Sequence, residues 1–216
     1  MRKLFLFFAI VLFVVSVNAQ PTKSVAAVDE WANVAQNSVR EGATTDVSGA
    51  YDVILYIDVA LTSAVAHTGT KIDVQISSAT SGDEDWTTLT AFIGPTGTPN
   101  SEAVSGTESA GATVIECAST TGTYDDDETR FIYFKNSTIA NSELGYLVSH
   151  VANTSVTIQD GITNAQTGST MWDIAKRYVV QIPLSAVRVR VIYDNTYDSD
   201  GAAVDTYCRL SKTTGL

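Results

Sequence analysis

Apolar and polar residues alternate along most of the chain after residue 50, and a period of two is the mark of half-buried strands. In residues 51–61, Val53, Leu55, Ile57, Val59 and Leu61 share one face while Asp52, Tyr56 and Asp58 share the other. Residues 71–77 repeat this, with Ile72, Val74 and Ile76 against Lys71, Asp73 and Gln75. The short link at 63–70 contains Gly69 and predicts a hairpin between the two. A third strand is expected over residues 86–93, after a polar loop. Three longer alternating segments follow much later, at 177–183, 187–193 and 203–210. In the second of them Val187, Val189 and Val191 point one way, Arg188 and Arg190 the other.

The alternation breaks in two places. Residues 94–111 and 160–170 are dominated by Gly, Ser, Thr, Asn and Pro and read as linkers or surface crossings. Between them lie four short strand candidates, 112–119, 130–136, 143–149 and 154–159, the pattern of a small β module. The economical organisation is a discontinuous all-β antiparallel sandwich, residues 42–96 plus 176–216, with residues 108–172 as a small inserted β domain. The rival organisation is one continuous sandwich of about nine or ten strands. Residues 20–41 stay open. Val25, Val28, Ala32, Ala35 and Val39 have helical spacing, yet Val, Asn and Ser are mediocre helix formers, so a short helix and an extended N-terminal arm fit equally.

Residues 1–19 change where the chain is expected to work. Arg2 and Lys3 precede an apolar run at 4–15, and Val17-Asn18-Ala19 has the shape of a cleavage site, so a signal peptide cut after Ala19 is expected. The run is short of the roughly 20 apolar residues that span a bilayer. The expected location is secreted, extracellular or at the cell surface, with no stable membrane insertion after cleavage. Loss of Arg2 and Lys3 takes the net charge from −11 to −13. That balance repels phosphates, so no nucleic acid partner is expected. Export makes a Cys117–Cys208 disulfide a question. Cys208 alternates with Val204, Thr206 and Leu210, and Cys117 shares a face with Ile115, so each reads as separately buried.

Candidate chemistry is sparse. His67 and His150 are the only near-neutral bases, each at an expected turn and without an orienting partner nearby in sequence. No nucleophile elbow and no paired metal-binding histidines occur, so no enzyme is expected. The densest polar signal is residues 194–201. There Asp194, Asn195, Asp198 and Asp200 could ligate calcium, with Gly201 allowing the bend, although the same residues also make an ordinary turn. Residues 125–128 form a second acidic turn, and Asp83, Glu84 and Asp85 a third. Trp31, Trp86 and Trp172 sit beside acids at segment edges, where they read as glycan platforms or as half-buried tryptophans.

Several short motifs stand in residues 113–165. They are the Ser-Thr-Thr-Gly turn at 119–122, the Ile-x-Phe strand at 132–134, Ser-Glu-Leu at 142–144, Val-Ser-x-Val-Ala-Asn-Thr at 148–154 and a closing Asp-Gly-x-Thr-Asn at 160–164. This stretch resembles a β module recurrent in phage virion and other assembly proteins. The flanking segments 66–78, 82–90 and 190–201 are similar to phage structural and capsid-decoration proteins. The resemblance implies a jelly-roll-like sandwich, self-association and no catalytic activity. The export signal departs from it, because virion subunits assemble in the cytoplasm. The function expected is a non-enzymatic exported subunit that forms a homo-oligomer or polymer: a filament, tube, surface layer or virion-like shell. The alternative is a secreted glycan-binding module.

Overall fold

The computed structural model describes residues 21–83, 85–117, 131–197 and 202–215. The expected signal peptide lies outside these residues. In chain order the strands begin with β1 (Thr22–Val34), β2 (Val39–Glu41), β3 (Thr45–Asp46), β4 (Ala50–Leu61), β5 (Lys71–Ser77) and β6 (Thr87–Ile93). Next come β7 (Ser101–Ala103), β8 (Thr107–Glu108), β9 (Val114–Glu116), β10 (Phe131–Lys135) and β11 (Glu143–Val151). They are followed by β12 (Ser155–Ile158), β13 (Gln166–Thr167) and β14 (Thr170–Trp172). The last are β15 (Ala175–Gln181), β16 (Arg188–Asp194) and β17 (Val204–Thr214).

Two sheets face each other, ordered β1-β17-β4-β15 and β2-β16-β5-β6, with β3 also on β16. Taking β2 and β3 together as one strand and renumbering the sandwich alone, these orders become 1-8-3-6 and 2-7-4-5. This is the winding of an eight-stranded jelly roll, and the expected all-β antiparallel sandwich is what the chain forms. The alternating residues explain it. Val53, Leu55, Ile57 and Val59 of β4 meet Ile72 and Val74 of β5, Val189 and Val191 of β16, and Val204, Cys208 and Leu210 of β17 in one cluster. Full burial of each aliphatic side chain stabilises the fold by about 1.5–3 kcal/mol.

The hairpin expected at 63–70 is not formed. β4 pairs with β17 and β15, whereas β5 pairs with β16 and β6, so the link crosses from one sheet to the other. His67 is accordingly buried and bridges Gly97 instead of marking an exposed tip. Residues 22–34 resolve as strand, not helix. β1 lies antiparallel along β17 from Thr22↔Thr214 to Val34↔Val204, with two register shifts. Ladder hydrogen bonds along β17 outweigh a modest helical spacing.

The residues between β6 and β15 build a third sheet, ordered β7-β14-β10-β11-β12-β9. Its ends meet, because Val104 bridges Cys117 and the Ser105 N–H donates to the Glu116 carbonyl at 2.8 Å. The result is a small closed barrel filled by Ile115, Ile132, Phe134, Leu147, Val156 and Met171. The stretches expected to be strandless supply β7, β8, β13 and the first residue of β14. These strands have two or three residues each, too few for a period of two to show. Both cysteines are buried and unpaired, Cys208 in the sandwich and Cys117 in the barrel.

Candidate functional site between sandwich and barrel

The barrel covers one half of the outer face of the β1-β17-β4-β15 sheet. The burial of β4 records this: it alternates up to Ile57, then Asp58, Val59, Ala60 and Leu61 are all buried. Asp205 on β17 anchors the contact. Fully buried, it accepts hydrogen bonds from Asn33 Nδ2 (2.9 Å), from the Tyr133 hydroxyl (3.0 Å) and from Lys135 Nζ (2.9 Å). Tyr133 and Lys135 belong to barrel strand β10, so one carboxylate holds two units together. Burial, reinforced by the Asp205 charge, pushes the Tyr133 hydroxyl well above its ordinary pKa. Trp31 packs between Tyr133 (4.5 Å between ring centroids) and Tyr207 (5.4 Å, stacked).

Beside this anchor the two units leave a cleft of about 300 Å³, lined by Glu30, Trp31, Asp58, Arg177, Tyr207 and Arg209 from the sandwich and by Glu143 and its neighbours from the barrel. A second hollow of about 230 Å³ shares Glu143, Arg177 and Arg209 and reaches Phe131 and Tyr146. Most charges here are already engaged. Arg177 forms a fork on Asp58 at 2.6 and 2.8 Å and lies 5.3 Å from the Phe131 ring centre. That fork raises the Arg177 pKa further. Glu143 accepts from the backbone N–H groups of Thr163 and Asn164 and from Gln166 Nε2. Arg209 differs. Its guanidinium rests 4.9 Å from the Tyr56 ring centre, and its Nε is shut off from solvent with no acceptor.

The residues singled out for calcium are not assembled into a site that can be described. Asp198 and Asp200 lie outside the described residues, as does the acidic turn at 125–128. Asp194 Oδ1 caps the N–H and hydroxyl of Thr196. Asn195 is fully buried: its Oδ1 accepts from the Thr70 hydroxyl at 2.7 Å, and its Nδ2 donates to the Val34, Ala35 and Ala202 carbonyls. Its side-chain oxygen is thus committed to bracing the sandwich. Among the described residues no group of three or more His, Cys, Asp and Glu is placed to hold a metal. His67 and His150 stand in different units, on the β4–β5 crossing and on barrel strand β11.

Of the tryptophans, Trp31 is 5 % exposed and forms no open platform. Trp86 is half-buried beneath Arg188 and Arg190, 4.8 and 4.2 Å from its ring. Trp172 is half-buried in the cluster around Trp31 and Tyr133. Asp205, Tyr207 and Arg209 went unnoticed in the sequence. Their signal was the second face of 203–210, where those three side chains alternate with Val204, Thr206 and Cys208.

No family model matches the chain, and no curated protein matches its sequence. Among solved structures it is similar to VP17, a capsid protein of bacteriophage P23-77, at 8 % identity and a TM-score of 0.21, covering 90 % of this chain and 96 % of that one. It is also similar to a chain of infectious bursal disease virus, Gx strain, at 9 % identity and a TM-score of 0.24, covering 91 % and 43 %. The VP2 subviral particle of infectious bursal disease virus gives 8 % identity and a TM-score of 0.20, covering 91 % and 42 %. The chain spans less than half the length of the bursal disease virus chains. These neighbours are phage and virus proteins. Scores of this size establish no shared function, and the jelly roll stands on the strand pairings above.

Proposed function

We propose that the chain is a non-enzymatic structural subunit that associates with copies of itself, exported and working outside the cell or at its surface. The observation that carries this reading is strand β6. It ends one sheet, and its sequence Thr-Thr-Leu-Thr-Ala-Phe-Ile has no charge and no proline. Five of its seven residues are exposed, with Leu89 and Ile93 among the exposed large apolar side chains. A bare edge of this kind is a template for another strand. The other edges are guarded: β1 carries Lys23, Asp29, Glu30 and two register shifts, β15 carries Lys176 and Arg177, and β2 and β3 are short. The barrel closes its own. Edge pairing between copies supplies affinity through main-chain hydrogen bonds and needs no catalytic group.

The test is a block on the outer edge. The Gly94 N–H donates inward to the Thr70 carbonyl at 2.7 Å, so a period of two turns the N–H groups of Ile93 and Ala91 outward. Ala91→Pro removes an outward donor without breaking the ladder to β5, and Ala91→Lys adds a charge to the same edge. Assembly of the native chain, read by light scattering and electron microscopy, should be lost in both variants with the melting temperature of the monomer kept. A native chain that stays monomeric at high concentration, or variants that assemble equally well, would overturn the reading.

A further inference from the structure

We propose that the cleft beside Arg209 binds an acidic sugar: a single ring carrying one carboxylate and several hydroxyls. The first observation is a contrast among the arginines. Arg40 donates to Thr206 and pairs with Asp29, and Arg177 forks onto Asp58. Arg188 donates to the Ala79 and Gly82 carbonyls, and Arg190 donates to Gln75. Arg209 has a shielded Nε and no acceptor, with its plane held against Tyr56 and its head lining both hollows. The Nε is closed to any ligand, and the outer N–H groups, also without an acceptor, are what the guanidinium presents to the cleft. A carboxylate meets them through two parallel hydrogen bonds.

The remaining lining decides which carboxylate. Glu30, Asp58 and Glu143 face the same cleft. Three carboxylates repel a multiply charged anion such as phosphate or sulfate, while one ligand carboxylate aimed at Arg209 is tolerated. Glu30 is exposed on the lip and close enough to Tyr207 to raise its hydroxyl pKa, after burial as the larger cause. A free carboxylate acceptor there calls for hydroxyl donors on the ligand. Tyr207, stacked on Trp31, offers an aromatic face for the C–H side of a ring. The volume, about 300 Å³, lies at the lower end of small-molecule sites, enough for one ring and no more. One carboxylate, several hydroxyls and an apolar ring face describe a uronic acid or a relative of it. The site is separate from the β6 edge, so its failure leaves the assembly reading standing.

Sodium glucuronate is the probe, titrated into the full protein at low salt and followed by calorimetry or ligand-observed NMR. Glucose and propionate, which carry its two halves, serve as controls. Glucuronate should bind with a Kd of about 1 mM or tighter, and each half at least about tenfold more weakly. Arg209→Ala should weaken glucuronate binding about tenfold or more, and Arg209→Lys, which keeps the charge but loses the fork, severalfold. Glu30→Gln should weaken glucuronate and leave propionate unaffected. Arg190→Ala on the opposite sheet should change nothing. The proposal is overturned if glucuronate fails to bind at about 50 mM, or if Arg209→Ala binds it as the native chain does. It is equally overturned if propionate matches glucuronate, since the cleft would then read a bare carboxylate such as an acidic side chain of another protein.

Discussion

Replacing Asp205 should uncouple the barrel from the sandwich, and the size of the effect can be worked from its partners. Asp205→Ala removes the acceptor for Asn33, Tyr133 and Lys135 together. The Tyr133 hydroxyl is left buried, and an orphaned buried donor costs about 1–3 kcal/mol. Lys135 is one third exposed and recovers much of its hydration, so its share falls toward that of a surface pair, about 1 kcal/mol or less. Adding the cavity and the Asn33 amide, the total is about 3–5 kcal/mol. In a chain of this length each kcal/mol moves the melting temperature by about 2–4 °C. Calorimetry should therefore show a fall of about 6–20 °C for Asp205→Ala. Tyr133→Phe leaves the carboxylate with two partners and should cost about 1–2 kcal/mol. A double-mutant cycle between Tyr133→Phe and Asp205→Ala isolates the shared bond and should give a coupling of about 1 kcal/mol or more. A coupling near zero, or a change in melting temperature under about 2 °C for Asp205→Ala, would refute the anchoring role.

Burial pushes the Tyr178 hydroxyl up to about 12 while it donates to the Ile93 carbonyl at 2.7 Å. The unfolded chain ionises near pH 10, so this stability is full below pH 10 and is lost as the pH rises toward 12, at about 1.4 kcal/mol per pH unit. Alkaline denaturation of Tyr178→Phe should show a shallower slope in that window, and parallel slopes would contradict it. Gly161→Ala would place a methyl 2.5 Å from the Gly111 carbonyl oxygen, a backbone atom that cannot swing aside. A loss of about 1–3 kcal/mol in denaturant unfolding is expected. Ellman's reagent should find neither cysteine in the folded chain and both after denaturation, and fast labelling of the native protein would contradict their burial. For the acidic turn at 194–201, millimolar calcium raising the melting temperature of the native chain but not of an Asp198→Ala, Asp200→Ala double variant would place an ion there. No shift leaves Asp194 as the cap of Thr196.

The long strands were legible because one of their faces is buried and the other wet. Residues 71–77 match β5 at both ends, and 187–193 is β16 displaced by one residue. Which strand pairs with which was not legible. The link at 63–70 is short enough for a hairpin, and only the competing partners β17 and β16 show that it crosses between sheets. The cleft was hidden for a related reason. Asp58 and Asp205 alternate as solvent-facing residues should, and nothing local says that a barrel from another part of the chain covers them. The setting of Asn195 was hidden in the same manner: nothing in the polar turn around it says that its amide oxygen accepts from the Thr70 hydroxyl inside the sandwich.

β17, the last strand of the described chain, lies in the middle of its sheet, between β1 and β4. That placement sets an order for folding. The barrel uses strands drawn only from residues 101–172 and can close as soon as they have been made. The sandwich sheet cannot, since β1 has no other neighbour and must wait for Thr22 to meet Thr214 across almost the whole chain. Contacts of such separation form slowly. A growing chain therefore presents a finished barrel beside an open half-sandwich, with the inward faces of β1 and β4 still bare, until residues 204–214 arrive. The interval invites premature pairing with other chains, and the eleven residues of β17 turn an open intermediate into a closed sandwich.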